Sequence, residues 1–418
     1  MIKVFKFGGA SVKDAEGVKI LASILSSYQE GQILIVVSAM GKTTNSLEDL
    51  ADLYAKQNPD AHQAFQEIKQ YHYNILNGLF DDPQNPVFDD IENAFIEIDW
   101  ILEEEPHPDY DFNYDQIVSI GELVSSKIVG AYLNSIGLKT KWIDARGFIH
   151  TDNSYREGRI DQVKTAASIQ SLSETLVDQF IITQGFIGGT SENFTTTLGR
   201  EGSDYSAAIF ASGLKADSLT IWKDVPGVLN ADPKVFGDTK VYSHIPYVEA
   251  LEMAYYGASV IHPKTIKPLQ NAGIPLFVKS FTHTGDPGTR IDSESTFDKS
   301  FPAIILKKEQ VLLSLRSPDL SFIDESVLGS IFSTLALASI KINMMQVSAL
   351  SLSICTDYNE AKFSRLLKQL SAFEIKYNTG LELLTIRHYT RPDIEKLVSG
   401  RKVLLEQLSR NTAQFVLK

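Results

Sequence analysis

Residues 184–208 read Gln-Gly-Phe-Ile-Gly-Gly-Thr-Ser-Glu-Asn-Phe-Thr-Thr-Thr-Leu-Gly-Arg-Glu-Gly-Ser-Asp-Tyr-Ser-Ala-Ala. Glycines, hydroxyl side chains, Arg200 and Asp204 are concentrated here directly before a helical pattern. Ser203 and Asp204 are placed to cap that helix, and the small residues 206–208 allow it to lie close to a sheet. A flexible surface loop would not require this combination. The segment therefore predicts an anion-binding or catalytic site at the start of a helix.

The chain around this segment alternates between strand and helix patterns. From Ile2 to Phe281, short β-branched and aromatic runs are separated by longer helical stretches. This pattern is typical of an α/β fold with a mainly parallel sheet flanked by helices. The predicted strands are 2–7, 33–38, 139–143, 179–185, 219–222 and 275–279. The predicted helices are 12–28, 114–136 and 203–211, with a largely helical insertion at about 60–102.

A change in composition indicates a second domain. Residues 285–295 are rich in turn formers and polar residues, as expected of a connector, so we place domains at 1–295 and 296–418. The second domain then reads strand 310–316, helix 326–338, strands 341–347 and 350–356, helix 360–370 and strand 373–377. This βαββαβ order predicts a ferredoxin-like unit. Strand 381–388, helix 393–408 and strand 413–417 begin a second, shortened unit, which we expect to need a partner surface.

A second glycine-rich segment follows the first predicted strand. It reads Lys-Phe-Gly-Gly-Ala-Ser-Val at residues 6–12, where two glycines let the backbone approach a phosphate and a helix start supplies free N–H groups. A plain tight turn would share this pattern. Gly-Lys-Thr at 41–43 resembles part of a P-loop, but Val36 stands where that motif needs glycine, which excludes a P-loop NTPase.

Composition limits the classes of function. The 418 residues carry a net charge of −13 with the two signs interspersed, which argues against a nucleic-acid partner. The single cysteine, Cys355, excludes an intramolecular disulfide and is typical of a reducing compartment. No apolar run reaches the roughly 18 residues that span a bilayer. We expect a cytoplasmic protein without a targeting signal or a membrane partner.

Several motifs in order make the chain resemble the aspartate kinases of the amino-acid kinase superfamily, over nearly all of residues 1–291. The motifs are Lys-Phe-Gly-Gly at 6–9, Val-Ser-Ala-Met-Gly-Lys-Thr-Thr-Asn at 37–45, Gly-Glu at 121–122, Trp-Ile-Asp-Ala-Arg at 142–146, Thr-Leu-Gly-Arg-Glu-Gly-Ser-Asp at 197–204, Trp-Lys-Asp-Val-Pro-Gly-Val at 222–228, Ala-Asp-Pro-Lys at 231–234, Glu-Met-Ala-Tyr-Tyr-Gly-Ala at 252–258 and His-Pro at 262–263.

The resemblance implies the amino-acid kinase fold and ATP-dependent phosphorylation of the side-chain carboxylate of L-aspartate, with ATP and Mg²⁺ as cofactors. This reaction is the first step towards lysine, threonine and methionine. An aspartate carboxylate is already ionised at neutral pH, so it needs no catalytic base. The difficulty is bringing it to polyanionic ATP, which calls for cations and N–H donors. No set of protein ligands for a metal is predicted.

The resemblance also implies roles for individual residues. Lys6 and Asp204 are the predicted catalytic residues, with Lys6 bridging the phosphoryl oxygens and Asp204 orienting Lys6. Arg200 would bind the substrate α-carboxylate and Glu122 its ammonium group. The full predicted substrate set is Ser38, Thr44, Glu122, Arg200 and Ser203. The predicted nucleotide set is Lys6, Gly8, Gly9, Ser11, Asp224, Asn230, Asp232 and Lys234. For Asp232, a turn stabilised by Asp-Pro is the structural alternative.

The chain departs from the family pattern at three positions. Glu201 stands where glycine is usual, Leu123 where arginine often follows Gly-Glu, and Ser259 where many members have a phosphate-binding lysine. We expect weaker ATP binding than in a member with the full set, because Glu201 adds a negative charge and Ser259 removes a positive one. Lys264 or Lys234 would be placed to compensate.

The region from Gln310 onward resembles the ACT domains of aspartate kinases, which pair between subunits and bind amino-acid effectors. The resemblance implies a homodimer through this region. In lysine-inhibited members two acidic residues contact the effector, but the matching positions here are Asn343 and Ala349. A lysine effector would lose its ion-pair partners, so we do not expect lysine inhibition, although another amino-acid effector is compatible with the sequence.

Two alternative functions remain open at this stage. One is a kinase for another small acid, such as acetylglutamate, glutamate or carbamate; the combination of Thr44, Glu122 and Arg200 with an ACT-like region favours aspartate. The other is a non-catalytic, amino-acid-sensing homologue, suggested by Glu201 and Ser259. The presence of Lys6, Asp204 and the glycine loops argues against it.

Overall fold

A computed structural model describes residues 1–28, 32–258, 261–295, 301–319 and 321–418. These residues divide into two compact units. The first unit comprises Met1–Val228, Val241–Leu251 and Ile261–Phe297, and the second comprises Leu229–Lys240, Glu252–Val260 and Asp298–Lys418. Within the described residues, no helix is both long and apolar enough to cross a membrane. The division at 295 from sequence stays a prediction.

The first unit is built on an eight-stranded sheet. Its elements, with α8 running on into the second unit, are β1 Ile2–Phe7, α1 Ala15–Ser26, β2 Gln32–Val37, α2 Thr43–Ala55, α3 Ala61–Leu79, α4 Pro86–Glu103, α5 Tyr110–Ser135, β3 Thr140–Trp142, α6 Gln162–Gln170, β4 Phe180–Gln184, β5 Ile187–Gly189, β6 Thr195–Thr197, α7 Gly202–Leu214, β7 Ser218–Lys223, β8 His244–Pro246, α8 Tyr247–Tyr256, α9 Pro263–Ala272, β9 Leu276–Ser280 and β10 Thr289–Asp292. The strand order is β3-β4-β2-β1-β7-β9-β10-β8.

The sheet is mainly parallel, which confirms the predicted fold class. The six strands from β3 to β9 in this order are parallel, and they are the six that the sequence predicted. Strand β10 runs antiparallel to β9, and β8 pairs parallel with β10. Helices cover the parallel strands, so these bury both faces. Strand β2 is accordingly apolar from Ile33 to Val37, with each of these side chains fully buried.

The parallel strands bring their carboxyl ends to one edge of the sheet. In the register, Phe7 of β1 lies beside Val37 of β2 and Trp222 of β7, and Val37 lies beside Gln184 of β4. The loops that follow these strands therefore converge. In open parallel sheets, ligands bind at this edge.

The helical insertion predicted at 60–102 consists of α3 and α4. Helix α3 buries Phe65, Ile68, His72 and Ile75, a spacing that places them on one side of the helix. Helix α4 begins at Pro86, and the side chain of Asn85 caps it by accepting from the Val87 amide.

The second unit contains a six-stranded antiparallel sheet. Its elements are β11 Ala303–Arg316, α10 Glu325–Leu337, β12 Ile342–Val347, β13 Ser351–Asp357, α11 Glu360–Gln369, β14 Glu374–Arg387, α12 Arg391–Val398, β15 Val403–Leu408 and β16 Thr412–Leu417, and the strand order is β12-β13-β11-β14-β16-β15. The first four strands in this order have the ferredoxin-like arrangement that the sequence predicted. Leu313 and Leu315 of β11 pack with Ile331 of α10 and Leu366 of α11 in its core.

The secondary structure predicted for the end of the chain was partly wrong. The helix predicted at 393–408 stops at Val398, and 403–408 is strand β15. Ser399 and Gly400 interrupt the helix, and Gly400 has a positive φ of 75°. The shortened unit also has an extra strand, because residues 303–307 of β11 pair with β14 on the side opposite β16. The chain itself therefore supplies part of what this unit was expected to take from a partner.

Candidate active site

A cavity of about 720 Å³ lies at the carboxyl edge of the parallel sheet in the first unit. It gathers residues from loops that are far apart in sequence. Eight of the predicted site residues line it: Lys6, Gly9, Ser38, Thr44, Glu122, Arg200, Ser203 and Asp204. Their shared location supports one binding site rather than separate surface features.

Lys6, Asp204 and Lys223 form a buried charge cluster in this cavity. The Lys6 ammonium lies 2.6 Å from Oδ1 of Asp204, and the Lys223 ammonium lies 3.6 Å from Oδ2. Strands β1 and β7 are neighbours, so both lysines reach the first turn of α7, where Asp204 lies. Burial opposes ionisation of Asp204, but the two lysines outweigh it and lower its pKa. One carboxylate thus faces two cations, which leaves an excess of positive charge.

The loops after β1 and β2 are packed against each other by their backbones. The Gly41 amide donates to the Gly9 carbonyl at 3.0 Å. A side chain at Gly9 would collide with the carbonyl oxygens of Ala39 and Gly41, each 2.8 Å from the position of its first carbon. Gly9 is therefore required for this close approach. Gly41 has a left-handed backbone, with a φ of 56°.

Glu122 is fully buried in α5 at the floor of the cavity. Burial raises its pKa to about 8, although a hydrogen bond from the Ala39 backbone and the charge of Lys6 act in the opposite direction. Its Oε2 atom has no hydrogen-bond partner among the described residues. A buried carboxyl oxygen that lines a cavity without a partner is suited to a cationic ligand.

Arg200 and Glu201 lie at the start of α7. Arg200 is exposed and lines the cavity, so its guanidinium is accessible to a ligand. Glu201 caps the helix in a left-handed conformation, with φ 54° and ψ 29°. Ser203 and Asp204 lie in the first turn of α7, slightly beyond the predicted cap position. Glycine, which is usual at position 201 in the family that the chain resembles, would adopt the left-handed conformation of Glu201 without strain.

Replacing Glu201 with glycine is expected to stabilise the fold by up to about 1 kcal/mol and to lower the KM for ATP, the substrate that the motifs imply. The first effect comes from relief of backbone strain, and the second from removal of a negative charge at the cavity. Lys215→Gly is the matched control, because Lys215 is the left-handed residue at the other end of α7. Urea unfolding and steady-state kinetics measure both quantities. An unchanged KM in Glu201→Gly would contradict the charge argument.

Some of the predicted residues lie elsewhere. Ser11 is buried, and its hydroxyl donates to the Trp222 carbonyl at 3.4 Å, so it fixes the β1 loop to β7. Gly8 adjoins Lys6, since a side-chain carbon there would be 3.4 Å from its ammonium. Asp224 is exposed and follows β7. Neither Ser11, Gly8 nor Asp224 is among the residues that line the cavity.

The rest of the predicted nucleotide segment belongs to the second unit. Asn230 accepts from the Lys240 amide at 2.7 Å and donates to the Pro302 carbonyl at 3.1 Å. Asp232 accepts from the Lys234 amide at 2.9 Å, as in the structural alternative of an Asp-Pro turn. Their contact with a nucleotide stays a prediction. Ser259 lies outside the described residues, while Leu123 is buried in α5.

The cavity also contains residues that the sequence analysis did not assign. Lys223 could have been found, because it belongs to the Trp-Lys-Asp motif at 222–224. Arg156 had no such signal. It has a φ of 63°, its guanidinium lies 4.2 Å from the Tyr114 ring, and its amide donates to buried Asp115 at 2.8 Å. Asp115 also accepts from the amide and hydroxyl of Thr197, and burial raises its pKa to about 6.

Comparison with known proteins places this chain in a family. The profile of the amino acid kinase family matches residues 1–280. The lysine-sensitive aspartokinase 3 of Escherichia coli K12 is 31% identical over 395 residues, which cover 92% of this chain and 86% of the relative.

Solved structures agree. Crystal structures of E. coli aspartokinase III align with TM-scores of 0.84 for the complex with aspartate and ADP (R-state) and 0.82 for the complex with lysine and aspartate (T-state), at 28% identity in each case. They cover 100% and 99% of this chain, and 96% and 95% of the crystal chains. The family predicted from the motifs is thus confirmed: the chain belongs to the amino acid kinase family and, within it, to the aspartokinases.

Proposed function

We propose that the cavity of the first unit is where this aspartokinase transfers the γ-phosphoryl group of ATP to the side-chain carboxylate of L-aspartate, giving 4-phospho-L-aspartate and ADP. The main support is the buried cluster of Lys6, Asp204 and Lys223 beside Glu122, whose buried Oε2 atom has no hydrogen-bond partner among the described residues. Aspartate and ADP are bound in the E. coli crystal structure that covers the whole of this chain.

The cluster provides charge stabilisation where the phosphoryl group is transferred. Phosphoryl transfer spreads negative charge over the equatorial oxygens, and the enzyme mainly positions the reactants and neutralises that charge. Lys6 bridges these oxygens, and Lys223 adds a second cation on the neighbouring strand. Asp204 holds both ammonium groups in place, and its single negative charge does not neutralise their two positive charges. The amides of the β1 and α7 loops contribute further N–H donors.

Mg²⁺ fits this site as a companion of the nucleotide. Among the described residues, the three-residue cluster with metal-ligand geometry is His244, Asp292 and Glu294, and none of them lines the cavity. Asp204 is held by two lysines. Mg²⁺ commonly keeps several waters and binds substrate phosphates with few protein ligands, and it would neutralise phosphate charge here.

The substrate residues hold the amino-acid end of aspartate. Arg200 binds the α-carboxylate through its planar guanidinium, and Glu122 pairs with the ammonium group. Ser38 and Thr44, from the loop after β2 and the start of α2, donate hydroxyl contacts. Aspartate then presents its side-chain carboxylate to the phosphoryl group beside Lys6.

The KM for aspartate is expected to fall as the pH rises from 6 to about 8 and then to level off. In the free site Glu122 is protonated below its raised pKa of about 8, and it must lose that proton to pair with the substrate ammonium. The fall approaches tenfold per pH unit at the acidic end. Coupled ADP-release kinetics at saturating ATP measure it. Glu122→Gln is the control: its KM for aspartate should be higher than that of the wild type and should not change with pH. A pH-independent KM in the wild type would show that Glu122 does not pair with the substrate ammonium.

A hydroxamate assay tests the reaction itself. Purified protein is incubated with ATP, Mg²⁺, hydroxylamine and aspartate, since hydroxylamine traps an acyl phosphate. Product with aspartate is expected. Product only with glutamate, acetylglutamate or carbamate would favour a kinase for another acid, and no ATP use with any acid would favour a non-catalytic homologue.

The same proposal includes a homodimer through the second unit. Strand β12 lies at the edge of its sheet and exposes Met345, and the neighbouring segments expose Phe322 and Leu337, with 71% and 79% of their surfaces accessible. Such an apolar edge is suited to pairing with another copy. Light scattering should give twice the chain mass. Met345→Lys should lower it, and an unchanged mass in that variant would reject this surface.

Regulation by lysine is expected to be weak. Lysine is bound in the E. coli T-state structure. Here the side chain of Asn343 donates to Gln310 at 2.9 Å and to Asp357 at 3.0 Å, while it accepts from Lys307 at 2.9 Å. A lysine effector would have to displace these contacts, through which the neutral Asn343 amide already pairs with Gln310 and with the charged groups of Lys307 and Asp357. Repeating the assay with lysine, threonine and methionine identifies any effector.

A further inference from the structure

We propose that helix α3 of the insertion positions the aspartate-binding loop, through Tyr71 and His72. This inference rests on the proposed function, because Tyr71 and His72 contact the loop that carries the proposed substrate residues Ser38 and Thr44. The two side chains are consecutive on α3, yet they reach different parts of the loop at 38–44. Neither of them lines the active-site cavity, so both act through other residues.

Tyr71 connects the two loops at the point where they meet. Its hydroxyl donates to the Lys13 carbonyl, just after the turn that follows β1. The same hydroxyl lies against Gly41, where a side-chain carbon would collide with it. Gly41 is the residue whose amide bonds to the Gly9 carbonyl. Tyr71 thus packs behind a left-handed glycine that joins the loop at 38–44, here called the substrate loop, to the loop at 8–13, here called the phosphate loop.

His72 holds the start of α2. The ring is fully buried, with Nδ1 at 2.8 Å from the Ile68 carbonyl and Nε2 at 3.3 Å from the Thr43 hydroxyl. Because the Ile68 carbonyl only accepts, Nδ1 carries the proton and Nε2 faces Thr43 with its lone pair. The Thr43 hydroxyl has one proton, which it donates to the Met40 carbonyl at 2.7 Å, so the His72 ring packs against this hydroxyl and does not accept a second hydrogen bond from it. Thr43 is therefore fixed beside Thr44, which lines the cavity.

The two loops differ in how they are anchored. Both loops have bonds of their own, such as the Ser11 hydroxyl to the Trp222 carbonyl in the phosphate loop and the Ser125 hydroxyl to the Ser38 carbonyl in the substrate loop. Helix α3, however, contacts the phosphate loop at one point, the Lys13 carbonyl, and the substrate loop at two, Gly41 and Thr43. Loosening α3 should therefore weaken aspartate binding more than ATP binding. Small misplacements of positioning residues are known to reduce catalysis strongly.

The chain offers a matched control on the same helix. Tyr73 is half-buried like Tyr71, and its hydroxyl also makes a side-chain hydrogen bond, but to Glu92 of α4 and away from the loops. Tyr71→Phe and Tyr73→Phe each remove one hydroxyl. We expect similar thermal midpoints for the two variants. We expect Tyr71→Phe alone to raise the KM for aspartate three- to tenfold, with less than a twofold change in the KM for ATP.

Thr43→Val provides a second, nearly isosteric variant. It removes the hydroxyl that contacts His72 and donates to the Met40 carbonyl, and it should also raise the KM for aspartate. An equal KM for aspartate in Tyr71→Phe and Tyr73→Phe, with an active wild type, would overturn the inference. So would equal increases in the KM values for ATP and aspartate. No hydroxamate from the wild type with aspartate would instead reject the proposed function. Circular dichroism and thermal unfolding separate loss of fold from loss of positioning.

Discussion

Lys6→Met is expected to lower kcat by about a hundred- to a thousandfold while the chain stays folded. The substitution keeps the unbranched chain as far as its fourth atom but removes the ammonium group that bridges the transferring phosphoryl group. Removal of one preorganised donor of this kind costs other enzymes a similar factor. Lys223 still neutralises Asp204, since it lies 3.6 Å from Oδ2, so the buried carboxylate is not left alone. The fold is retained for that reason.

Lys3→Met is the control for this experiment. Lys3 lies on the same strand, but its ammonium lies over the ring of Tyr28, 4.9 Å from the centroid, and it does not line the cavity. Hydroxamate formation measures turnover, and circular dichroism with thermal unfolding measures the fold. Near-normal kcat in Lys6→Met, at saturating ATP and aspartate, would remove Lys6 from the mechanism.

Asp204→Asn is expected to reduce kcat about a hundredfold without weakening nucleotide binding. The amide no longer holds Lys6 in register with the phosphoryl oxygens, so transition-state stabilisation is lost. The site also becomes more positive by one charge, so the Kd for ADP should be unchanged or lower. Titration calorimetry with ADP and steady-state kinetics measure the two effects separately.

A double variant shows whether Asp204 acts through Lys6. If it does, Lys6→Met with Asp204→Asn should lose little more activity than Lys6→Met alone, because residues of one network are not additive. Asp292→Asn is a control for loss of a buried acid, since Asp292 is bonded to His244 and Arg290 outside the cavity. Multiplied losses in the double variant would show that Asp204 has an independent role.

Sequence patterns predicted the parallel sheet because its strands are buried on both faces. Strand β2 is apolar from Ile33 to Val37, and such runs bounded by turns identify buried strands. Strands β8 and β10 have three and four residues, too short for a recognisable pattern. The merged helix at 393–408 had a different cause: apolar residues lie on both sides of the polar segment 399–402, at 397–398 and 403–405, so the pattern does not separate the helix from the strand after it.

The candidate site was predicted in part, for a similar reason. Lys6 precedes one glycine-rich segment at the end of a strand and Asp204 follows another at the start of a helix, a pattern that sequence alone records. Arg156 reaches the cavity from a loop through a left-handed backbone, which its residue type does not indicate. Tyr71 and His72 lie in an ordinary amphipathic helix pattern, so their contacts with the loops became visible only in three dimensions. The nucleotide role of residues 230–234 stays a prediction.

Strands β11 and β14 each take part in both halves of the second unit, and their pairing predicts the order in which these halves fold. Gln310, near the start of the ferredoxin-like segment, pairs with Leu381, just after its end. Residues 310–377 therefore form a block whose two ends lie side by side in the sheet, inserted in the chain between residues 303–307 and 383–387. Pairs within this block, such as Arg316 with Glu374, are closer in sequence than the pair of Ala303 with Arg387. We expect the block to gain protection from hydrogen exchange first, with the flanking half closing afterwards.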